Sequence, residues 1–390
     1  MSTENPAAPP PVLFRELPTA GGSRVGVACL NAEKSLNSLT LEMIDLLWQQ
    51  MSTWARDPGI ALVMLEGAGD RAFCAGADLT RLHAACLAHH ASAARDDIRA
   101  NTYALDFFSR EYRLDYLLHT YPKPLLCWGQ GVVMGGGMGL MAGCSHRVVT
   151  DQLRLAMPEI NIGLFPDVGG SWFLARAPGH TGIFLALTAC QLGAGDAIFA
   201  GLADVCIPHA RKAEVLQAIV AQTWPEQPTA ARQLLSSLLN AHAMASVSDG
   251  PLRKHLDLIN AACSAPDPLA AIEAVRGLKA QDEWFARGVA TLEAGSPSTA
   301  LLSIALQRRL KRCSLAEVFR AELVAALTCA AKPDLAEGIR ALLIDKDRKP
   351  RWSPASTGTV DDAWVEGYFR SPWTAEAHPL RDLGQAVAGT

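Results

Sequence analysis

Residues 129–170 read GQGVVMGGGMGLMAGCSHRVVTDQLRLAMPEINIGLFPDVGG, and this stretch decides how the chain folds and where its chemistry lies. It begins with a short apolar segment that leads to the glycine run 135–137. A β-rich middle then leads to Glu159, and eight residues later Asp167 precedes a second glycine pair. Each carboxylate directly follows a proline, so both are expected on short loops close to the glycine run.

The glycine run is suited to holding developing negative charge. Glycine tolerates positive φ and lets a backbone N–H approach a ligand with no Cβ in the way. If a helix starts at this run, its first N–H groups have no partner inside the helix and carry the positive end of its dipole. Carboxylates nearby can serve as acid, base or nucleophile. Anion donors beside a carboxylate pair indicate acyl-group chemistry.

Outward from this stretch, short apolar strands alternate with helices from residue 12 to about residue 208. This alternation predicts an α/β layered domain. A helix near 41–51 should be capped by Ser38 or Thr40 and bury apolar positions that include Trp48. Strands are expected at 12–17, 23–30, 60–66, 125–128, 146–150 and 153–157.

After Pro208 the strand signals are few, and residues 210–340 have a helical pattern that several prolines interrupt. Residues 181–206 are interpreted as a pair of helices, and residues 80–120 as helical. The predicted organisation is a disordered N-terminus at 1–11, an α/β core at 12–208, a helical C-terminal region at 209–355 and an irregular tail at 356–390.

Composition excludes several classes of protein. The 390 residues are 49% hydrophobic and 19% charged, which is a globular balance. A net charge of −4 without a basic block makes nucleic acid an improbable partner. The ten cysteines form no CxxC pair, and no His/Cys cluster has metal-ligand spacing, so we expect reduced thiols and no metal.

The N-terminal sequence MSTENPAAPPPVLF has neither a basic and apolar signal pattern nor an Arg-rich amphipathic one. No uninterrupted apolar run reaches the length of a membrane span. We therefore expect a soluble, cytoplasmic protein without a membrane partner.

A second loop of small residues, RAFCAGADL at 71–79, follows the strand at 60–66. Its exposed backbone N–H groups offer further donors for an anion. The simpler interpretation is a strand-to-helix connection in which Asp78 caps the next helix. Glu111, taken alone, is interpreted as a charge on a helix surface.

Four motifs together resemble the crotonase (enoyl-CoA hydratase/isomerase) superfamily: AFCAGADL, GGGMGL, MPEINIGLFPDVGG and LAEGIRALLIDKDRKPRW. LFPDVGG and IDKDRKPRW are most similar to the branch that hydrolyses 3-hydroxyisobutyryl-CoA. The resemblance covers roughly residues 12–370. It implies an α/β fold built as a spiral of ββα units with a helical C-terminal region. It also implies an acyl-CoA thioester whose carbonyl oxygen binds between two backbone N–H groups.

Carried onto this chain, the resemblance assigns the two oxyanion donors to the N–H groups of Ala77 and Gly136. Losing one such donor costs about two to three orders of magnitude in rate. Glu159 takes the place of the reacting carboxylate, either as nucleophile or as general base on water, and Asp167 is the second carboxylate. Glu111 lies near the acyl group.

Asp78 and Leu79, next to Ala77, are also expected at the substrate. The substrate's CoA phosphates would need basic partners, for which Lys34, Arg71, Arg81 and the Lys346/Lys349 segment are candidates.

The resemblance also separates hydrolysis from hydration. Enoyl-CoA hydratases carry a catalytic Glu where this chain has Gly139, and a missing acid–base group costs about two to four orders of magnitude. Hydrolysis of a short 3-hydroxyacyl-CoA, as in valine breakdown, is therefore the first hypothesis. The alternatives are hydration or isomerisation of an enoyl-CoA, and acyl-CoA binding without catalysis. No cofactor is implied, because coenzyme A is part of the substrate, and a homo-oligomer is possible.

Overall fold

The computed structural model describes residues 9–385. The predicted disordered segment 1–11 lies mostly outside the described residues, as do the last five residues of the predicted tail. Regular structure begins at Val12, the first residue of the first strand. The two segments that carry the sequence motifs, around the glycine run and the 71–79 loop, lie inside this described part.

Within the described residues, nine strands form two sheets. Six strands make the larger sheet in the order β1-β2-β3-β5-β7-β9, and three make the smaller one in the order β4-β6-β8. The strands are β1 Val12–Pro18, β2 Arg24–Leu30, β3 Ile60–Gly67, β4 Ala72–Cys74, β5 Leu125–Gly129, β6 Val132–Met134, β7 His146–Val149, β8 Arg154–Ala156 and β9 Val205–Cys206.

The chain alternates between the two sheets, which gives the spiral. Strands β3, β5 and β7 each add to the large sheet, and the strand after each of them, β4, β6 or β8, adds to the small one. The β1–β2 pair is antiparallel, whereas every other pair is parallel. Strand β2 is buried along nearly its whole length, as expected for a strand covered on both faces.

Helices connect the strands, and after β9 every regular element in the described residues is a helix. They are α1 Leu41–Arg56, α2 Leu79–His90, α3 Thr102–His119, α4 Gly136–Ala142, α5 Gly170–Phe173, α6 Thr181–Thr188, α7 Ala194–Phe199, α8 Lys212–Val220, α9 Pro228–His242, α10 Pro251–Lys254, α11 Leu256–Cys263, α12 Pro268–Gly277, α13 Glu283–Ala294, α14 Pro297–Leu310, α15 Leu315–Ala331, α16 Pro333–Ile339 and α17 Asp362–Gly367. A π-helix, Arg340–Ile344, directly continues α16.

Local sequence accounts for the first helix. The side chain of Thr40 accepts a hydrogen bond of 3.2 Å from the N–H of Met43, so Thr40 is the cap. Ile44, Leu47 and Met51 are buried as their spacing predicts. Trp48, which was expected on the same face, is exposed, because it lies at the border of the apolar stripe.

Three predictions about local structure need correction. Residues 181–206 are not simply two helices, since they end in the short strand β9, which pairs with β7. The helical stretch at 80–120 is divided into α2 and α3. The segment predicted to be an irregular tail contains α17, and Leu380 beyond it is buried.

Among residues 9–385, no single helix is long and apolar enough to cross a membrane. One bent pair, Glu283–Ala294 with Pro297–Leu310, passes by length and composition, with an angle of 109° between its helices.

Candidate active site

A cavity of about 720 Å³ opens beside the small sheet. Strands β4, β6 and β8 are parallel neighbours, so their carboxyl ends lie at one edge. In parallel α/β sheets this is the edge at which ligands bind. Ala77 follows β4, Gly136 follows β6 and Glu159 follows β8, and all three line the cavity. Topology alone thus brings together three residues that are far apart in the sequence.

The loop after β4 presents the N–H of Ala77. The carbonyl of Gly76 accepts from Leu39 N–H, and Asp78 N–H donates to the Leu39 carbonyl, both at 2.8 Å. The N–H of Ala77 between them has no protein acceptor within residues 9–385. Gly76 has φ +103°, a conformation that favours glycine. The loop is therefore fixed on both sides of one free donor.

The loop after β6 presents the N–H of Gly136. Gly135 adopts φ 52°, and α4 begins at Gly136. This N–H lies in the first helical turn and likewise has no protein acceptor in the described chain. A methyl group built on Gly76 would lie 3.7 Å from the nitrogen of Gly136, so the two donor loops touch. Ala77 and Gly136 both line the cavity.

Carboxylates crowd the glycine run. A methyl group built on Gly136 would lie 2.5 Å from Oε1 of Glu111, and one built on Gly135 would lie 3.2 Å from Oε1 of Glu159. The two carboxyl groups therefore lie in the space that side chains would occupy at positions 135 and 136. Oε1 of Glu111 and Oε2 of Glu159 are buried and have no hydrogen-bond partner within the described residues.

Burial raises the pKa of each of these acids. The pKa of Glu159 is raised well above its usual value by burial and by the charge of Asp167. The pKa of Glu111 is raised well above its usual value for the same two reasons. Burial raises the pKa of Asp167 to about 7, although a hydrogen bond from Tyr112 opposes the shift. Such displaced carboxyl groups in a cavity are typical of acid–base chemistry.

Two residues outside the expected set hold Asp167 in place. The hydroxyl of Tyr112 donates to Oδ2 of Asp167 at 2.7 Å. The carboxylate of Glu322 on α15 accepts from the N–H groups of Gly169 and Ser171, at 2.8 and 2.9 Å. Glu322 thereby caps α5 and fixes the loop that carries Asp167. Burial raises the pKa of Glu322 to about 8.

Gly139 is closely packed, with no free space where a side chain would project. A methyl group there would lie 2.6 Å from Cβ of Val168 and 3.2 Å from Oδ1 of Asp115. Val168 is held at φ 52°, which leaves its side chain little freedom to retreat. The position expected to distinguish hydrolysis from hydration is thus filled by neighbouring side chains.

The remaining expected residues divide into two groups. Glu111 and Leu79 line the cavity, as do Lys34, Arg71 and Lys346. Asp78 is not part of the lining, and its place at the substrate stays a prediction. Its carboxylate accepts from Thr80 N–H at 3.1 Å and caps α2, which is the simpler interpretation of the sequence. Arg81 and Lys349 are also absent from the lining.

No group of three or more His, Cys, Asp or Glu side chains among residues 9–385 is arranged to hold a metal ion.

Residues 25–369 match the protein-family model described as enoyl-CoA hydratase/isomerase. The chain belongs to that family. Its mixed α/β architecture is therefore one that this member of the enoyl-CoA hydratase/isomerase family shares with relatives of known fold.

Three relatives illustrate the range of the enoyl-CoA hydratase/isomerase family around this member. A protein from Xenopus tropicalis named 3-hydroxyisobutyryl-CoA hydrolase, mitochondrial, is 36% identical over 347 residues, which is 89% of this chain and 86% of that protein. A carnitinyl-CoA dehydratase from Mycobacterium thermoresistibile superposes with a TM-score of 0.79 at 32% identity, covering 92% of this chain and 96% of that one. An enoyl-CoA hydratase from Rhodobacter sphaeroides 2.4.1 gives 0.79 at 31% identity, covering 93% and 98%.

Sequence analysis missed Tyr112, Asp115 and Glu322, although a signal was present. Each is a polar residue on the buried face of its helix: Tyr112 and Asp115 lie among Phe107, Phe108, Leu114 and Leu118, and Glu322 lies among Val318, Phe319 and Leu323. A carboxylate at an apolar helical position must find donors or remain neutral. That rule marks Asp115 and Glu322 as neighbours of a buried polar site, and the need of a buried tyrosine hydroxyl for a hydrogen-bond partner marks Tyr112.

Proposed function

We propose that this protein hydrolyses the thioester of a short 3-hydroxyacyl-CoA to the free acid and coenzyme A. The observation that carries the proposal is the convergence of two free backbone donors, Ala77 N–H and Gly136 N–H, on the wall of a cavity that also holds Glu159. Acyl transfer needs donors where negative charge develops on the carbonyl oxygen, and a carboxylate close to the carbonyl carbon.

The reaction begins with the thioester carbonyl oxygen between the two N–H groups. As the carbonyl carbon becomes tetrahedral, its oxygen takes on the negative charge that both donors stabilise. Because the hole is built from backbone, with Gly76 and Gly135 in conformations that favour glycine, the donors need no rearrangement during the reaction.

Glu159 supplies the attack by one of two routes. Its ionised carboxylate adds to the carbonyl carbon and expels the CoA thiolate, which gives a mixed anhydride that water then cleaves. Alternatively the carboxylate removes a proton from a water molecule, whose oxygen adds to the carbonyl carbon directly. Both routes consume one water molecule and give the acid and the thiol. Both require that Glu159 be ionised when it acts.

Asp167 is suited to moving the proton. A carboxyl group with a pKa near 7 is close to the operating pH, where general acid–base catalysis is most efficient. It can therefore deliver a proton to the departing sulfur and be regenerated. Glu111 lies against the donor loop and, in its neutral form, can donate to the 3-hydroxyl of the acyl group or accept from it. These roles make the acyl hydroxyl part of recognition.

The name of the relative from Xenopus tropicalis supports 3-hydroxyisobutyryl-CoA, an intermediate of valine breakdown, as the acyl donor. The cytoplasmic location stays a prediction, since that relative's name places it in mitochondria. Assembly into a homo-oligomer likewise stays a prediction.

Hydration of an enoyl-CoA is the second candidate, since two solved relatives carry hydratase or dehydratase names. A pair of carboxyl groups, Glu159 and Asp167, would have to serve as its base and acid. The packing of Val168 against Gly139 leaves no room for a further acid–base side chain at that position. This packing favours hydrolysis.

A substrate panel separates the hypotheses. Free thiol is measured over time with 3-hydroxyisobutyryl-, 3-hydroxypropionyl-, crotonyl- and acetyl-CoA, alongside the absorbance of the crotonyl double bond. Thiol release from the 3-hydroxyacyl esters is the expected result. Loss of crotonyl absorbance without thiol release would instead identify a hydratase, and binding without either change would identify a non-catalytic acyl-CoA-binding protein.

A further inference from the structure

The segment 340–350, which we name the strap, contributes to the wall of the cavity. It consists of the π-helix Arg340–Ile344 and the irregular residues up to Pro350. Leu342, Leu343 and Lys346 of the strap line the same cavity as Glu159. π-Helices occur frequently at functional sites. The strap is thus part of the substrate cavity although it lies far along the chain from the donor loops.

One side chain ties the strap together. Arg340 donates to both carboxylate oxygens of Glu337, at 2.9 and 2.8 Å, and to Oδ2 of Asp347 at 2.8 Å. It also contacts the carboxylate of Asp345 and the carbonyl of Lys349. The planar guanidinium of an arginine presents five N–H donors in a fixed fork that matches carboxylates bidentately, a geometry that a lysine ammonium lacks. The guanidinium lowers the pKa of both Glu337 and Asp347.

The strap needs such a tie because its backbone is strained. Lys346 and Arg348 adopt φ values of 59° and 55°, in the left-handed region that side chains other than glycine rarely enter. Such conformations persist when the surrounding structure fixes them, and they cluster at ligand sites. The acceptors that Arg340 gathers flank Lys346 on both sides, so its side chain fixes the strained turn.

The strap also leaves apolar surface uncovered. Leu342, Leu343 and Ile344 are 38%, 42% and 43% exposed, and they are consecutive. Contiguous exposed apolar residues at the mouth of a cavity indicate a ligand-binding surface. Two of these three residues continue the wall on which Glu159 lies, and cationic Lys34, Arg71 and Lys346 line the same cavity. A cavity that combines carboxyl groups, apolar side chains and cations suits a thioester on a long arm that carries phosphates.

We propose that Arg340 is a positioning residue that holds the strap against the pantetheine arm of the substrate. The inference rests on the proposed function. Through Leu342 and Leu343 the strap contacts the arm between the acyl group and the nucleotide. Arg340 thereby sets the preference of the enzyme for full CoA thioesters over thioesters of short thiols, although it touches neither the acyl group nor the reacting atoms.

The test compares two substrates that share one acyl group, 3-hydroxyisobutyryl-CoA and the 3-hydroxyisobutyryl thioester of N-acetylcysteamine, which lacks most of the arm. Arg340→Gln should raise KM for the CoA ester by about tenfold with little change in kcat, the signature of lost uniform binding. It should leave kcat/KM for the short thioester unchanged. Arg340→Lys should behave like Arg340→Gln, because one ammonium group cannot replace the fork.

Two further variants make the comparison decisive. Arg147→Gln is the matched control, since Arg147 also forks onto a carboxylate, that of Asp204, and onto the carbonyl of Gly201, with similar side-chain exposure (20% against 24%), but does not line the cavity. It should leave both substrates unaffected. Leu342→Ser, at an exposed position, tests the strap even if Arg340→Gln fails to fold, and should also raise KM for the CoA ester alone.

Equal losses with both substrates in Arg340→Gln and Leu342→Ser would overturn the proposal and assign Arg340 a purely structural role. An unchanged KM for the CoA ester would overturn it as well. Calorimetric affinity for free CoA in the same variants keeps the two proposals apart. Absence of thiol release by the unmodified protein contradicts the proposed function, whereas equal CoA affinity in Arg340→Gln and the unmodified protein contradicts the role of Arg340.

Discussion

The hydroxyl of Tyr112 donates a 2.7 Å hydrogen bond to Oδ2 of Asp167 within a fully buried pair. This contact joins α3 to the loop that contains Asp167, just before the glycine pair 169–170. It also opposes the effect of burial on the pKa of Asp167. The second carboxylate of the candidate site is therefore fixed in direction by one phenol. Its proton affinity depends on the balance between burial and that hydrogen bond.

Replacing Tyr112 with Phe should lower kcat by about tenfold and leave KM nearly unchanged, because Asp167 loses its orientation but the cavity keeps its shape. The lost hydrogen bond should also lower the free energy of unfolding by about 1–3 kcal/mol. Tyr121→Phe is the matched control: Tyr121 is buried and donates to the carbonyl of Met51 at 2.9 Å, away from the cavity. It should lose stability without losing kcat, and similar kinetics in the two variants would contradict the role of Tyr112.

Asp167→Asn should move the acidic limb of the kcat/KM profile to lower pH. Glu159 must be ionised to act, and the charge of Asp167 is the second cause, after burial, of its raised pKa. Removing that charge lowers the pKa of Glu159, so half of the Glu159 carboxyl groups are ionised at a lower pH. The maximal rate nevertheless falls. Asp196→Asn, at a buried carboxylate outside the cavity, should leave the limb in place. A limb that stays fixed in Asp167→Asn would show that the two carboxyl groups titrate independently.

Gly136→Ala should reduce thiol release by about 100-fold or more, the cost of losing one oxyanion donor. The new methyl group would meet Oε1 of Glu111 at 2.5 Å and displace either that carboxyl group or the donor loop. At Gly367 no atom of residues 9–385 lies within 4 Å of such a methyl group, so Gly367→Ala is the control and should keep its activity. Full activity in Gly136→Ala would mean that the loop does not hold the carbonyl oxygen.

Asp115→Asn should make stability less dependent on pH. Asp115 is fully buried, neither carboxyl oxygen has a partner in the described chain, and burial together with the charges of Glu111, Asp167 and Glu322 raises its pKa well above 3.8. A group with a raised folded-state pKa favours folding at low pH, and this stability is lost as pH rises through that pKa. Relative to the unmodified protein, the variant should gain free energy of unfolding between pH 4 and pH 9 in urea titrations. A constant difference across this range would contradict a buried, titrating Asp115.

Six of the nine strands in the described residues were predictable because their signals are local, whereas β4, β6 and β9 were not predicted. Alternating apolar runs located β1, β2, β3, β5, β7 and β8, and glycines after apolar runs located the loops at Ala77 and Gly136. The two-residue strand β9 escaped because Val205 and Cys206 continue an apolar pattern that also suits a helix. Only its pairing with β7 defines it.

The supports of the site were harder to predict because their partners are distant in sequence. Glu322 lies 151 residues from Ser171, and its carboxylate accepts a hydrogen bond from the N–H of that serine. The sequence around α15 does not identify that partner, although a carboxylate on the apolar face of a helix indicates that a hydrogen-bond partner exists. Asp78 shows the opposite case: its cap on α2 is a local pattern, and that pattern was the correct interpretation of its side chain.

The most direct test of the central claim is free thiol release from 3-hydroxyisobutyryl-CoA by the unmodified protein and by Glu159→Gln, measured side by side. Glu293→Gln, at an exposed ion pair with Lys279, is the control. The account predicts steady thiol release by the unmodified protein and the control. It predicts a loss of at least about 100-fold in Glu159→Gln, with affinity for the acyl-CoA kept within about tenfold. Undiminished thiol release by Glu159→Gln would contradict the account.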